Sequence, residues 1–464
     1  MKTTRTETDS FGEIEVPSHV LWGAQTARSL HFFAIGEQRM PLEIIHALAV
    51  IKWAAASVNH DVKHISWIRS QAIAKAAIQV ADGQFDQEFP LSVWQTGSGT
   101  QSNMNVNEVI AHIATKALQK KDLTVQKIHP NDEVNLGQSS NDVFPSAMHI
   151  AIALQTQQIL IPALDYLHQA LLDKSVEYKN VIKVGRTHLQ DATPITLGQE
   201  FGGYAAQIEL CKHSLNHSLP ALYTLAIGGT AVGTGLNTHP EFGIRVAQLL
   251  AEKFSLPFTP ASNLFAAMAG HEAIVAFHGA LKMLGIALTK IGNDIRLMAS
   301  GPRAGLGELQ LPENEPGSSI MPGKVNPTQI EALSMVCAQI MGHDVAIGFA
   351  ASQGHFELNV YKPLIALNTL DSIRLLSDAI RSFTKHCLIN IRVKSEHIKE
   401  LLNNSLMLVT ALTPHIDYDK AANIAKYAHK HECSLRKAAT ALGFVTEIEF
   451  DLWVDPQLML AAKA

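Results

Sequence analysis

Gly317-Ser318-Ser319-Ile320-Met321-Pro322-Gly323-Lys324-Val325-Asn326-Pro327 is followed at once by an apolar-periodic run from Thr328 to Ala351. The glycines permit positive φ and close backbone approach, so successive N–H groups can converge on one oxyanion, with the Lys324 charge beside them. Pro327 then leads into a helix whose N-terminal end points its free N–H groups at the same place. The stretch reads as an anion-handling loop, suited to a carboxylate whose negative charge grows during a reaction. The bland alternative is an ordinary Gly/Pro surface loop.

Outward from the loop, the spacing predicts long helices. Ile330, Leu333, Cys337, Ile340 and Met341 fall on one face of the segment behind it, and Leu281, Leu284, Leu288, Ile291 and Ile295 mark a second stripe upstream. The same three- and four-residue spacing runs from Pro145 to about Lys179, from Gly198 to Leu219 and from Asn263 to Ser300. A single helix between Pro260 and Pro302 would span about 55 Å. Ile150 to Leu154 and Ile159 to Ile161 are apolar on more than one side, and such helices need more than one neighbour. The expected fold is mainly α, an up-and-down bundle whose helices also pack against other copies of the chain.

Composition agrees. Aromatics make up only 6% of the 464 residues while 47% are hydrophobic, which favours packed helices over sheets and supplies a large core. Length sets a prior of about three domains of ~150 residues. The patterning divides the chain into a mixed, mostly helical N-terminal domain over 1–138, a long-helix bundle over 139–394 and a small helical domain over 395–464. Pro414, Asp417 and Asp419 break the last into short helices.

A net charge of -5 without basic clusters argues against nucleic-acid partners. Met1 to Glu13 is neither a signal peptide nor a membrane segment, and no eighteen-residue uncharged apolar run follows, so a cytoplasmic chain is expected. Cys211, Cys337, Cys387 and Cys433 are scattered without a CxxC pair, and the 22 histidines include no HExxH, so no disulfide framework, metal or cofactor is expected. Partners should be small molecules or other copies of the chain.

Further polar clusters interrupt the apolar pattern. Ser139-Ser140-Asn141-Asp142 can be a simple helix cap, and the same hydroxyls, amide and free N–H groups can bind a carboxylate. Gly185-Arg186-Thr187-His188-Leu189-Gln190-Asp191, expected in a loop between helices, offers His188 for proton chemistry. His129-Pro130-Asn131-Asp132 reads as a turn. Glu331, one turn past Pro327, is either a first-turn carboxylate favoured by the helix dipole or, if its helix faces His188, the group that orients the imidazole.

With these residues assembled, the chain resembles the fumarase/aspartase superfamily and, within it, the class II, metal-independent fumarases. The resemblance rests on Gly12 to Pro17, Trp22 to Thr26, Thr96 to Asn107, Ser139 to Asp142, Gly185 to Asp191 and Gly317 to Pro327, and covers essentially the whole chain. It implies a three-domain helical subunit in a homotetramer with a central helical bundle, each active site drawing segments from three subunits. It also implies reversible fumarate hydration to (S)-malate in the tricarboxylic acid cycle. Aspartases usually carry glutamine in place of His188 and continue differently from Thr328-Gln329-Ile330-Glu331, so aspartate ammonia-lyase, or another fumarate-releasing C–N lyase, ranks second.

The resemblance assigns Ser318 as the base that takes the carbon-bound proton, a role that the residues alone leave open between Ser318 and His188. Lys324 and Asn326, with Ser319, would hold the aci-carboxylate, and His188 backed by Glu331 would protonate the departing hydroxide. Ser98, Thr100, Ser139, Ser140, Asn141 and Thr187 would bind the distal carboxylate. A second dicarboxylate site around His129, Asn131 and Asp132 is put in doubt by Gln126, where some similar fumarases have a basic residue.

Overall fold

The structure, a computed structural model, describes residues 3–462. Helices account for 62% of it and each sheet has only two strands, so the fold is mainly α. An antiparallel hairpin, β1 (Thr4–Asp9) and β2 (Gly12–Pro17), precedes α1 (Ala24–Phe32), α2 (Leu42–Asp61), α3 (Trp67–Ala81), α4 (Thr100–Gln119), α5 (Ser140–Gln155) and α6 (Ile161–Glu177). A second antiparallel hairpin, β3 (Ile182–Thr187) and β4 (Gln190–Thr196), leads into α7 (Leu197–Leu222). Short strands β5 (Thr224–Leu225) and β6 (Thr259–Pro260) flank α8 (Phe242–Phe254), and then come α9 (Leu264–Ala269) and α10 (Glu272–Met298). Strand β7 (Leu309–Gln310), α11 (Thr328–Ala351), α12 (Lys362–His386) and β8 (Arg392–Val393) precede the closing helices. These are α13 (Ser395–Asn404), α14 (Thr413–Ile416), α15 (Tyr418–Lys430), α16 (Leu435–Ala441) and α17 (Glu447–Trp453).

The long rods follow from the stripes. A π turn over Thr156–Leu160 joins α5 to α6, so Ser140–Glu177 runs as one rod of 38 residues. The helix expected from Asn263 to Ser300 is instead broken. Asn263 caps α9, whose Ala266 N–H it accepts at 3.0 Å, and extended backbone at Gly270 ends that helix before α10 begins. α12 was not among the named helices. Asn368, Thr369, Ser372, Ser377 and Thr384 interrupt its apolar stripe, yet all are buried. The hydroxyls of Thr369, Ser372, Ser377 and Thr384 each return to the carbonyl one turn back, at 2.6 to 2.8 Å, so burial leaves them satisfied.

Two compact units result, each drawn from separated stretches: Met1–Pro162, Lys212–Gly285 and Cys337–Ser377 form one, and Ala163–Cys211, Ile286–Val336 and Asp378–Ala464 the other. In the first, α2 is buried along most of its length and packs on α3, α5 and α8. In the second, Val184 of β3 joins a core with Leu402, Leu412, Ile424, Leu435 and Ala438, so the C-terminal helices support the β3–β4 hairpin.

By length and composition alone, four helical stretches could cross a membrane: Leu42–Asp61, Ser140–Glu177, Glu272–Met298 and Thr328–Ala351. The uncharged-run criterion applied to the sequence did not flag them. Half or more of the apolar window is buried within the protein for the first three, but only 22% for Thr328–Ala351. Met335, Val345 and Phe349 of that helix stand exposed, forming an apolar face on it.

Candidate active site

The Gly317–Pro327 loop closes on itself. Gly317 N–H donates to Lys324 O at 3.0 Å, and the Asn326 amide donates from Nδ2 to Gly317 O at 2.5 Å. A Cβ on Gly317 would lie 2.2 Å from Lys324 O, and Gly323 sits at φ +78°, so one glycine serves a close approach and the other a left-handed turn. Inside this loop the Ser318 oxygen accepts two backbone N–H groups, from Ile320 at 3.3 Å and Met321 at 3.0 Å. Donors aimed at that oxygen stabilise negative charge on it, which a serine acting as a base requires. Ser319 and Lys324 are exposed and Asn326 is half-buried. Pro327 O accepts the N–H groups of Ile330 and Glu331 at 3.0 Å, opening α11 directly behind the loop.

His188 stands at the tip of the β3–β4 hairpin rather than in a loop between helices. Thr187 pairs with Gln190, leaving only His188 and Leu189 to make the turn, at φ 56° and 60°. Such a turn normally takes Asn-Gly, and two non-glycine residues held at positive φ store strain at the hairpin tip. β-branched Ile182, Val184, Thr187, Thr193, Ile195 and Thr196 favour strands here, a signal hidden in an otherwise helical chain. Below the tip, Arg186 makes a two-pronged pair with Glu308, which also faces Lys183 at 3.4 Å; Glu308 and Lys183 are fully buried. Thr187, His188 and Glu331 are exposed. Among the described residues no side-chain hydrogen bond or ion pair joins His188 to Glu331 within one chain.

The remaining candidates meet where the N-termini of α4 and α5 converge. Gly99, at φ +78°, precedes α4, and a Cβ there would strike the Phe144 ring at 2.3 Å. The Ser98 and Thr100 hydroxyls lie 2.8 Å apart. Ser139 caps α5 by accepting Asn141 N–H at 3.2 Å, while Asp142 accepts Ser139 N–H at 2.9 Å, so the simple cap expected from sequence is present. One side-chain hydrogen bond links the two helices: Asn103 Nδ2 donates to Ser140 Oγ at 3.1 Å. Ser140 can therefore turn its own proton outward.

Sequence reasoning missed what lies beneath. Lys52 of α2 is fully buried, donating to Asn135 Oδ1 at 2.8 Å and Gln138 Oε1 at 2.9 Å. Burial pushes its amine down to about 7 and pushes the equally buried Asp142 carboxyl up to about 6, against three backbone N–H donors from Ser139, Thr230 and Gly228. The available signals were a lysine inside the apolar run Val50-Ile51-Lys52-Trp53-Ala54 and asparagines at 103, 105 and 107 in a helix.

His129 Nδ1 accepts Asp132 N–H at 3.0 Å in a π turn over Pro130–Val134. His129 and Asn131, but not Asp132, line a cleft of about 990 Å³ with Arg5, His112, Lys116 and Lys127. The Gln126 carbonyl receives Arg69 at 3.3 Å.

The fold and this serine-bearing loop define a lyase: residues 12–342 match the family described as Lyase, and residues 408–461 match Fumarase C C-terminus. Full-length likeness is narrower. The chain is 57% identical over 461 residues to the class II fumarate hydratase of Methylorubrum extorquens, covering 99% of this chain and 98% of that one. It is 58% identical over 459 residues to that of Chromobacterium violaceum, covering 99% and 100%. The crystal structure of the class II fumarase of Schistosoma mansoni superposes with a TM-score of 0.96 at 46% identity, covering 98% of this chain and 99% of that one. The chain belongs to the class II fumarate hydratase family.

Proposed function

We propose that this protein catalyses the reversible hydration of fumarate to (S)-malate, the tricarboxylic acid cycle reaction, without a metal. The observation that carries the mechanism is the pair of N–H donors on Ser318 Oγ, in the loop that also presents Lys324 and Asn326. In the dehydrating direction Ser318, entering as the alkoxide that these two N–H groups stabilise, takes the proton from the malate carbon next to a carboxylate and becomes the neutral hydroxyl. The electron pair moves into that carboxylate, giving an aci-carboxylate held by Lys324, Asn326 and Ser319. Each such donor is worth roughly 3 kcal/mol of transition-state stabilisation. The pair then returns to form the double bond as the hydroxyl on the neighbouring carbon leaves with a proton from His188, so water departs anti to the first proton.

Ser98, Thr100, Ser139, Ser140, Asn141 and Thr187 hold the other carboxylate. Glu331 of one copy orients His188 of another, which fits the absence of such a contact within one chain and the exposed apolar face of α11. Likeness to the class II fumarate hydratases supports reading the protein as a cytoplasmic homotetramer with sites shared among three subunits. His129 and Asn131, in a cleft lined by Arg5, Lys116 and Lys127 and also by Glu7, Asp9 and Glu108, are assigned with the neighbouring Asp132 to a second dicarboxylate site.

The test is ultraviolet absorbance of the fumarate double bond, with L-malate, L-aspartate, argininosuccinate and adenylosuccinate supplied separately in the presence of chelator. Malate alone should give signal. Signal from aspartate instead would make the protein an ammonia-lyase, and loss of the malate signal with chelator would overturn metal independence.

A further inference from the structure

We propose that Lys52, buried behind the hydroxyls of the distal-carboxylate cradle, is the specificity-determining charge that makes a neutral donor set select a dianion over a monoanion. The inference rests on the dicarboxylate reading of that cradle. Every side chain assigned to the cradle is uncharged, so hydrogen bonds alone would bind an amide nearly as well as a carboxylate. Lys52 changes that balance. Its Nζ meets only amide oxygens, those of Asn135 and Gln138, and among the described residues it has no ion pair. A buried ammonium held by neutral acceptors keeps its field, because it is removed from bulk solvent and no carboxylate touches it.

The connection to the cradle is short and wholly within one compact unit. Asn135 Oδ1 accepts Lys52 at 2.8 Å and the amides of Asn103 and Asn107 at 3.2 Å each. Asn103 uses its same Nδ2 to reach Ser140 Oγ at 3.1 Å. Gln138, the second acceptor, is the residue before the Ser139 cap. Lys52 thus lies three hydrogen bonds from one cradle hydroxyl, through Asn135 and Asn103, and one hydrogen bond from the residue leading into the other. The positive end of α5 points the same way.

Asp142 is the opposing charge, buried at the same helix end with its oxygens occupied by backbone N–H groups. It damps the Lys52 field. A bound carboxylate favours the charged form of Lys52, so ligand and ammonium stabilise one another.

The experiment compares two competitive ligands, succinate and its monoamide succinamate, on the full-length enzyme turning over malate. Lys324 claims the carboxylate of succinamate, leaving the amide for the cradle. The variants are Lys52→Gln, which keeps a hydrogen-bond donor without the charge, and Asp142→Asn, which removes the opposing charge and tests the idea independently should Lys52→Gln fail to fold. The proposal predicts a Ki for succinate roughly tenfold or more higher in Lys52→Gln, with succinamate changed less than threefold. It predicts a lower succinate Ki in Asp142→Asn. Equal losses for both ligands in Lys52→Gln, or a succinate Ki that rises in Asp142→Asn, would overturn it and leave Lys52 a packing residue. A wild-type protein that neither turns over malate nor binds succinate would instead overturn the dicarboxylate reading itself.

Discussion

Glu308 accepts both terminal nitrogens of Arg186, Nη1 at 3.1 Å and Nη2 at 2.8 Å, and is completely removed from solvent. With Lys183 on its other side, this carboxylate fixes two cations of β3 just below the turn that presents Thr187 and His188. Removing one partner of a buried pair strands the other charge. Glu308→Gln should therefore cost about 3 to 5 kcal/mol of stability, read as a lower unfolding midpoint in urea. The hairpin tip should loosen with it, lowering kcat, and an unchanged midpoint would count against this account.

His188 can be replaced without disturbing its turn. Asparagine tolerates the left-handed backbone that His188 adopts at φ 56°, so His188→Asn should fold at least as well as the natural chain. Loss of the imidazole proton donor should lower kcat by a factor of about 10² to 10⁴. Steady-state kinetics beside a thermal melt separates the two effects, and a kcat within a few-fold of normal would remove His188 from the proton chemistry.

Two glycines make a matched pair. A Cβ on Gly97 would fall 1.3 Å from Val360 O, a backbone atom that cannot step aside, whereas one on Gly323 meets nothing within 4 Å and suffers only from φ +78°. Gly97→Ala should cost about 3 kcal/mol or more and raise KM by displacing Ser98 and Thr100. Gly323→Ala should cost ~1–2 kcal/mol. Thermal-inactivation half-lives of the two variants should differ in that order.

Burial of one histidine predicts acid sensitivity. His149 is buried with Nδ1 at 2.8 Å from Thr224 O, and burial lowers its pKa from 6.5 to about 4. Between these values the unfolded chain binds a proton that the folded one does not. The contribution of His149 is thus fully present above pH 6.5 and is lost as pH falls through about 4, with a slope of up to ~1.4 kcal/mol per pH unit. His149→Asn keeps a donor near the Nδ1 position, so its thermal midpoint should fall less steeply than that of the natural chain as pH drops from 6.5 to 4.5. Parallel curves would assign the sensitivity elsewhere.

The helices and the candidate residues were legible to different degrees, for physical reasons. Stripes such as Leu281 to Ile295 and Ile330 to Ile340 announce their helices because every member is buried on one side. α12 escaped notice because its buried hydroxyls are satisfied by its own backbone, which no periodicity reveals. Gly270 broke a helix that its flanking apolar residues would have continued. In the site, the Gly317 to Pro327 residues are neighbours in sequence and could be read together. Lys52 with Asn135, and Arg186 with Glu308, are separated by 83 and 122 positions, so only folding brings them into contact.

The central claim is that Ser318 removes the carbon-bound proton, and exchange of that proton with deuterated solvent measures it most directly. Incubated with L-malate, the natural enzyme should release fumarate and exchange the proton. Ser318→Ala should lose both by a factor of about 10² or more, while its assembly state and its Ki for succinate stay unchanged. A Ser318→Ala protein that still exchanges the proton at a near-normal rate would contradict the account and transfer the base to another residue.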